Sequence, residues 1–261
     1  MTSSSLPQIF CKSTLKQHRL KGLSLLNSKD PFLLEVENNL LARVKDFKKD
    51  FPEILTLGFR TEALNEFIKS VPFPAQLISG FPLTEGLFTD FVFDEERLPL
   101  APKKFDLIIS ALHLHTVNDL PGSLIQLRHA LKPHGLFMGA FLGGETLKEL
   151  RTAFFKAETL LKNGISARFA PQIDIKGAAN LLKRAGFETP ISESQTITLF
   201  YETPLDLCHH LKALSETNSL VARSKGLTSP TFLTKAFEYY EIIQDCFPLT
   251  FEIIYVTAWK I

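Results

Sequence analysis

His113 and His115 alternate, and Asp119 follows four residues later. On a strand that spacing puts both imidazoles on one face, where they could ligate a metal or move a proton as acid or base. No third ligand accompanies them at a matching spacing, so no metal site is expected, and a hydrogen-bonded structural histidine is the alternative to an acid–base one. Asn118-Asp119 also stand where a helix cap belongs. Gly143-Gly144-Glu145-Thr146 reads either as a helix start whose amides favour an anion or as a tight turn. Arg223 and Lys225 are suited to steering a protein partner or to ordinary surface charge. Phe232, Phe237, Tyr239 and Tyr240 fit a core better than a substrate clamp, and Glu149 and Arg151 are expected on a solvated helix face.

The elements that must position these residues are legible from apolar patterning. Asp30-Pro31 starts a helix, with Leu33, Val36, Leu40, Val44 and Phe47 on one face, for about 18 residues before Pro52. Short apolar runs follow at 54–58, 75–79, 88–93, 105–110 and 136–142, apolar throughout instead of alternating, as in parallel strands covered on both faces. Helices are expected between them at 61–70 and 120–131, the second closed by Lys132-Pro133-His134-Gly135. After Gly144 a long helix carries Leu147, Leu150, Phe154, Ala157 and Leu161 inward and stops at Gly164, and another spans roughly 176–185. Alternating strands at 195–202 and 250–260, and a helix opened by Ser229-Pro230 with Leu233, Ala236, Phe237, Tyr240 and Ile243 on its face, complete the chain. The expected fold class is α/β: a doubly wound, mostly parallel sheet with antiparallel C-terminal strands. Residues 1–50 are expected to form a helical cap and 51–261 the main domain, elaborated at 144–261.

With 261 residues, 45% of them apolar, the chain can bury one substantial core. A net charge of +1 and the absence of a dense basic run argue against nucleic acid, and no apolar run is long enough to span a membrane. Cys11, Cys208 and Cys246 lack paired spacing, which fits free thiols in a reducing compartment. The first 29 residues hold five Lys/Arg and no acid. This is the composition of a mitochondrial presequence or of a basic amphipathic helix at 12–26 with Leu15, Leu20, Leu23 and Leu26 facing the body, the second being preferred.

One stretch carries most of the remaining information. "FDLIISALHLHTVNDLPGSLIQLRHALKPHGLFMGAFLGGETLKELR", residues 105–151, resembles the second half of a class I S-adenosylmethionine-dependent methyltransferase domain. "HTVNDLPG", "GAFLGGETLKELR", "FDEERLPL", "LSETNSLVARSKGL" and "TFEIIYVTAWK" are similar to the subfamily that contains the respiratory complex I assembly factor of the arginine-hydroxylase type and its alphaproteobacterial relatives. The resemblance, from about residue 30 onward, implies S-adenosylmethionine as cofactor, bound over the carboxyl ends of the strands by Thr56, Gly58, Arg60, Asp94, Glu95 and Ser110. It places His115 at the pocket mouth as the catalytic candidate, and implies a protein client such as a complex I subunit. The compartment it implies is the bacterial cytoplasm, with the mitochondrial matrix as alternative; oligomeric state is left open.

The chain departs from the family at the turn after the first strand. Where the pattern is close to Asp-Leu-Gly-x-Gly-x-Gly, it reads Thr56-Leu57-Gly58-Phe59-Arg60-Thr61-Glu62. A side chain at Arg60 intrudes where backbone and cofactor should touch. The second strand ends in Ser79-Gly80-Phe81-Pro82 without the usual carboxylate, and Thr116 replaces a tryptophan. Two lost charged partners at about 1.5–3 kcal/mol each lower affinity by roughly two to four powers of ten. Three functions follow: an enzyme acting on a protein by methyl transfer or arginine hydroxylation, a non-catalytic assembly or binding protein on the same scaffold, or a small-molecule or acyl-carrier methyltransferase.

Overall fold

The computed structural model describes residues 8–86, 89–162 and 164–261. Phe88, the first residue of the strand expected at 88–93, lies outside them. Seven strands form one sheet: β1 (Glu53–Leu57), β2 (Gln76–Pro82), β3 (Phe91–Phe93), β4 (Phe105–Ala111), β5 (Leu131–Leu142), β6 (Glu188–Tyr201) and β7 (Phe247–Lys260), in the order β3-β2-β1-β4-β5-β7-β6. The first five run parallel, and β7 lies antiparallel to both β5 and β6. Strands that are apolar throughout need cover on both faces, and the helices supply it. On one side pack α2 (Pro31–Ala42), α3 (Ala63–Ser70), α5 (Lys148–Lys162) and α7 (Pro204–Ala213); on the other, α4 (Leu120–Ala130) and α6 (Ile175–Arg184). Alternation along β7 feeds both cores: Phe251, Ile253 and Tyr255 join the first, Ile254, Val256 and Ala258 the second.

Local signals set most helix starts. The Asp30, Asp119 and Asp174 carboxylates accept from the amides of Leu33 (3.0 Å), Gly122 (2.9 Å) and Gly177 (2.6 Å), with proline in the first turn of α2 and α4. Asn118-Asp119 is therefore a cap at its second residue. α8 (Pro230–Glu238) begins after Ser229, whose hydroxyl makes no capping bond; Pro230 provides the start, and Phe232 and Ala236 are the buried residues.

Several boundaries differ from expectation for physical reasons. α2 ends at Ala42 and continues as a 3-10 turn, Arg43–Asp46, so the expected helix is shorter. β5 begins at Leu131, absorbing the segment expected to be a turn, with His134 at φ 59. β6 begins seven residues earlier than the strand expected from Gln195, because an edge strand pairs on one side only and tolerates the polar run Glu188–Ser194. α7 is unanticipated, although Thr203-Pro204 is a start signal whose hydroxyl accepts from Asp206 N. Glu149 and Arg151 turn inward: Glu149 accepts from Thr250 N at 3.0 Å and Arg151 donates to Gly144 O at 2.7 Å. α1 (Lys12–Leu25) exists, but on a different face: Thr14, Leu15, Arg19 and Gly22 are buried while Leu20 is 49% exposed.

His210 of α7 sits between Asp30, 2.9 Å from its carboxylate, and the Tyr201 hydroxyl, tying α2, α7 and β6 together. Phe251 is fully buried and packs on Phe32 with ring centroids 4.4 Å apart. Phe251→Ala is expected to cost about 3–5 kcal/mol in urea unfolding, whereas Phe155→Ala, at a side chain 52% exposed, is expected to fall within about 0.5 kcal/mol of the parent.

Candidate functional site at the carboxyl ends of the strands

Strand order reverses between β1 and β4, so the crevice of this fold lies above their carboxyl ends. Gly58 opens it with φ +81°, and a Cβ there would lie 2.5 Å from Ala111 O and 2.6 Å from His113 Cδ2. Both conformation and space demand glycine. Beyond it the turn is closed from within the chain. The buried Glu37 carboxylate of α2 accepts from Arg60 N (2.9 Å), Thr61 N (3.1 Å) and Thr61 Oγ1 (2.6 Å). The amides that a glycine-rich turn offers to a ligand are therefore already bonded. The Arg60 side chain is buried and donates through Nη1 to Leu214 O at 2.6 Å.

The three acids after β3 are also engaged, all by α1. Lys12 Nζ meets both Asp94 oxygens at 2.8 Å and Glu96 Oε2 at 2.7 Å. Arg19 Nη2 meets Glu95 Oε1 at 2.7 Å, with both side chains buried, and donates to Thr116 Oγ1 at 3.1 Å. The partner is a helix and not a mobile side chain alone, because α1 is fastened along its length. The Asn118 side chain accepts from Ile9 N and Phe10 N (2.8 and 2.7 Å), Cys11 N donates to Ser219 O at 2.8 Å, and Phe10 and Leu15 pack with Leu220. Gly22 lets the helix settle on the end of α7, where a Cβ would fall 2.1 Å from Ser215 Oγ.

Below this strap, His113 Nε2 pairs with Ser110 Oγ at 2.9 Å, and its ring meets the Phe93 ring edge-on. Burial, helped by the neighbouring Arg19 charge, holds His113 well below the usual imidazole range, so it is neutral. His115 Nε2 lies 3.1 Å from Glu216 Oε1. Burial pushes the Glu216 carboxyl up, but His115, Arg60 and Arg19 outweigh it and hold it below the ordinary carboxylate range. Thr56 Oγ1 bonds Ser79 Oγ at 2.9 Å beneath the crevice floor. Among the described residues, no group of three or more His, Cys, Asp or Glu is placed to hold a metal ion.

The space left decides what fits. A cavity of about 20 Å³ lies among Arg19, Gly58, Arg60, His113, His115 and Glu216. Sites for nucleoside-sized ligands occupy roughly 300–1,000 Å³, and 20 Å³ is the room of about one water. A neighbouring cleft of about 70 Å³, bordered by His115, Thr116, Phe169, Glu216 and Leu220, adds little. With its amides bonded to Glu37, its acids paired to α1 and Arg60 across its floor, the crevice does not fit the cofactor that the fold implies.

Of the residues singled out in the sequence, Gly58, Arg60 and His115 converge on the cavity, and Glu95 reaches it through Arg19. Asp94 lies at the partly exposed rim, while Thr56 and Ser110 spend their hydroxyls on Ser79 and His113. Sequence reasoning missed Lys12, Arg19, Glu37 and Glu216 as partners. Glu37 left one trace, an acid within the apolar stripe of Val36 and Leu40; the other three follow only from tertiary contact.

A methyltransferase-domain model matches residues 83–139. Mitochondrial arginine-hydroxylase NDUFAF5 of Mus musculus is 35% identical over 87% of this chain and 69% of its own length. Malonyl-[acyl-carrier protein] O-methyltransferase of Gallionella capsiferriformans is 36% identical over 64% of this chain and 56% of its own. Among solved structures, a putative methyltransferase from Bacillus halodurans superposes with a TM-score of 0.57 at 14% identity, covering 85% of this chain and 98% of that one, a likeness of fold. The similarity to NDUFAF5 covers most of the chain, well beyond the stretch that the domain model matches: this chain belongs to the S-adenosylmethionine-dependent methyltransferase family, in the branch of the arginine-hydroxylase NDUFAF5.

Proposed function

We propose that this chain is a non-catalytic assembly or binding protein that keeps the methyltransferase scaffold and holds a protein client. The observation that carries the proposal is the filled crevice, in which Arg19 and Arg60 lie where a cofactor would and Glu37 takes the turn amides. In this reading residues 1–50 are a cap whose first helix locks the domain at 51–261, and His115 and Glu216 order the pocket mouth. The client implied by the family is a respiratory complex I subunit. The similarity to the acyl-carrier methyltransferase covers less of this chain than that to the arginine-hydroxylase, which favours a protein client. A reducing compartment, cytoplasm or mitochondrial matrix, suits the three free thiols.

One observation favours the alternative of methyl transfer. Gly58 keeps the left-handed turn, so opening α1 would uncover a partly preserved cradle. Isothermal calorimetry with S-adenosylmethionine and S-adenosylhomocysteine separates the two. No heat is expected at about millimolar ligand, since entry must break a buried ion pair worth about 3–5 kcal/mol when one partner is removed. Binding at about micromolar concentration would overturn the proposal and restore the enzyme reading.

The lock itself has a pH signature. Lys12 and the Glu96 amide outweigh burial at Asp94 and hold its carboxyl low, as His115 and the arginines do for Glu216. Folded values below unfolded ones mean that this stabilisation is complete above the ordinary carboxylate range and is lost as pH falls through the folded values. Hydrogen exchange of the α1 amides, corrected for intrinsic rates, is expected to stay slow at neutral pH and accelerate below about pH 4 before the sheet does. Equal protection of α1 and β5 down to global unfolding would show that these pairs do not govern the strap.

A further inference from the structure

The charge of this chain is nearly balanced overall but not locally. Residues 145–170 and 216–238 hold eight Lys/Arg and five acids, a net +3 against +1 for the whole protein. Three of the acids are turned inward: Glu149 accepts from Thr250 N, Glu158 is buried and accepts from Arg168 Nε at 2.7 Å, and Glu216 faces His115. What these segments show to solvent is therefore weakly basic: Lys148 and Lys235 are paired with Glu145 at 3.5 Å and Glu238 at 2.6 Å, while Lys156 and Lys225 are exposed.

The same segments expose apolar side chains that folding left uncovered. Phe155 and Leu160 on α5 are 52% and 61% exposed, Ile165 is 69% exposed, and Leu227 is fully exposed. Phe155, Ile165 and the loop that carries Leu227 belong to one region. Phe155 and Ile165 border a groove of about 240 Å³ with Phe154 and Phe169, and Arg168 Nη1 reaches Thr228 Oγ1 at 3.5 Å, bringing the 221–229 loop beside it. Arg223 of that loop donates to Thr14 Oγ1 of α1 at 2.8 Å, so the region runs up to the strap over the crevice.

Resting on the binding-protein reading above, we propose that this face of α5, the 164–169 link and the 221–229 loop is the client-docking surface, and that its occupant is an acidic, amphipathic protein segment. An apolar groove with Lys156 next to Phe155 on α5 and Lys225 on the neighbouring loop complements a helix with carboxylates on one side and leucine or aromatic anchors on the other. The groove accepts one such anchor, and the two lysines fix orientation and speed encounter. A nucleic acid would use the lysines and leave Phe155, Ile165 and Leu227 unburied; the apolar half of the surface selects protein.

Fluorescence anisotropy on the full chain tests this with a labelled synthetic helix of about 18 residues, built from Glu, Ala and regularly spaced Leu. Saturable binding is expected, weakened about tenfold by either Ile165→Asp or Lys225→Glu and further by salt. Both positions are exposed, so unchanged melting of the variants would confirm intact folds. The assignment falls if a leucine-free peptide of equal charge binds as well, if neither variant changes the affinity, or if phosphatidylglycerol vesicles or a DNA duplex compete away the helix completely and bind the variants undiminished. Calorimetry with the cofactor reports on the crevice independently: a silent crevice with no peptide binding would remove this surface alone, and cofactor binding would remove the reading beneath it.

Discussion

A guanidinium withdrawn from water must find a carboxylate, and two of them lie at the centre of this molecule. Arg19 and Arg60 are buried above the reversal point of the sheet, where an unpaired charge costs several kcal/mol. Glu95, Glu37 and Glu216 lie close to them, and their positions dictate much else. Glu95 draws α1 across the crevice; Glu37, itself pushed up by burial, fixes the turn after β1 to α2; Glu216 brings His115 and the segment after α7 to the rim. Helix, turn and loop are thus held by one electrostatic requirement, and the hydrophobic contacts of Phe10, Leu15 and Leu220 seal it from solvent.

The architecture was largely readable from the chain because its strands are apolar throughout and its helix starts carry local caps. Gly58 came instead from the resemblance to the family's turn pattern, and it has the positive φ that only a glycine adopts freely. The locking of the crevice was not readable. Lys12–Asp94 and Arg19–Glu95 join residues more than 70 positions apart, and no periodicity connects them. The face of α1 was misjudged for a related reason. Leucine spacing pointed to Leu20, but the pull of Glu95 on Arg19 and the close approach at Gly22 rotate the helix so that Leu20 meets solvent. β6 was read short because an exposed edge need not show the apolar alternation that betrays a half-covered strand.

Scaffold and site therefore tell different stories. The seven-stranded order, the family sequence signals and the C-terminal antiparallel pair all belong to a methyltransferase, yet the chemistry of a fold resides in the groups that line its crevice. Here many of those groups bind one another, although Arg19 Nη1, His113 Nδ1 and His115 Nδ1 are buried without a hydrogen-bond partner. His115 shows the shift most clearly: it stands at the mouth of the crevice, but its imidazole is committed to Glu216 and its neighbour His113 is held neutral against Ser110.

The wiring of Arg60 joins two distant parts of the chain. Its backbone amide leans on Glu37 and its guanidinium on Leu214 O, with Glu216 close enough to feel its charge. A glycine there would keep the amide bond to Glu37 but remove the guanidinium, leaving Glu216 to His115 and Arg19, and Leu214 O without its side-chain donor. One side chain thus ties the turn after β1 to the segment that follows α7, so its loss would be felt at both ends of the crevice at once.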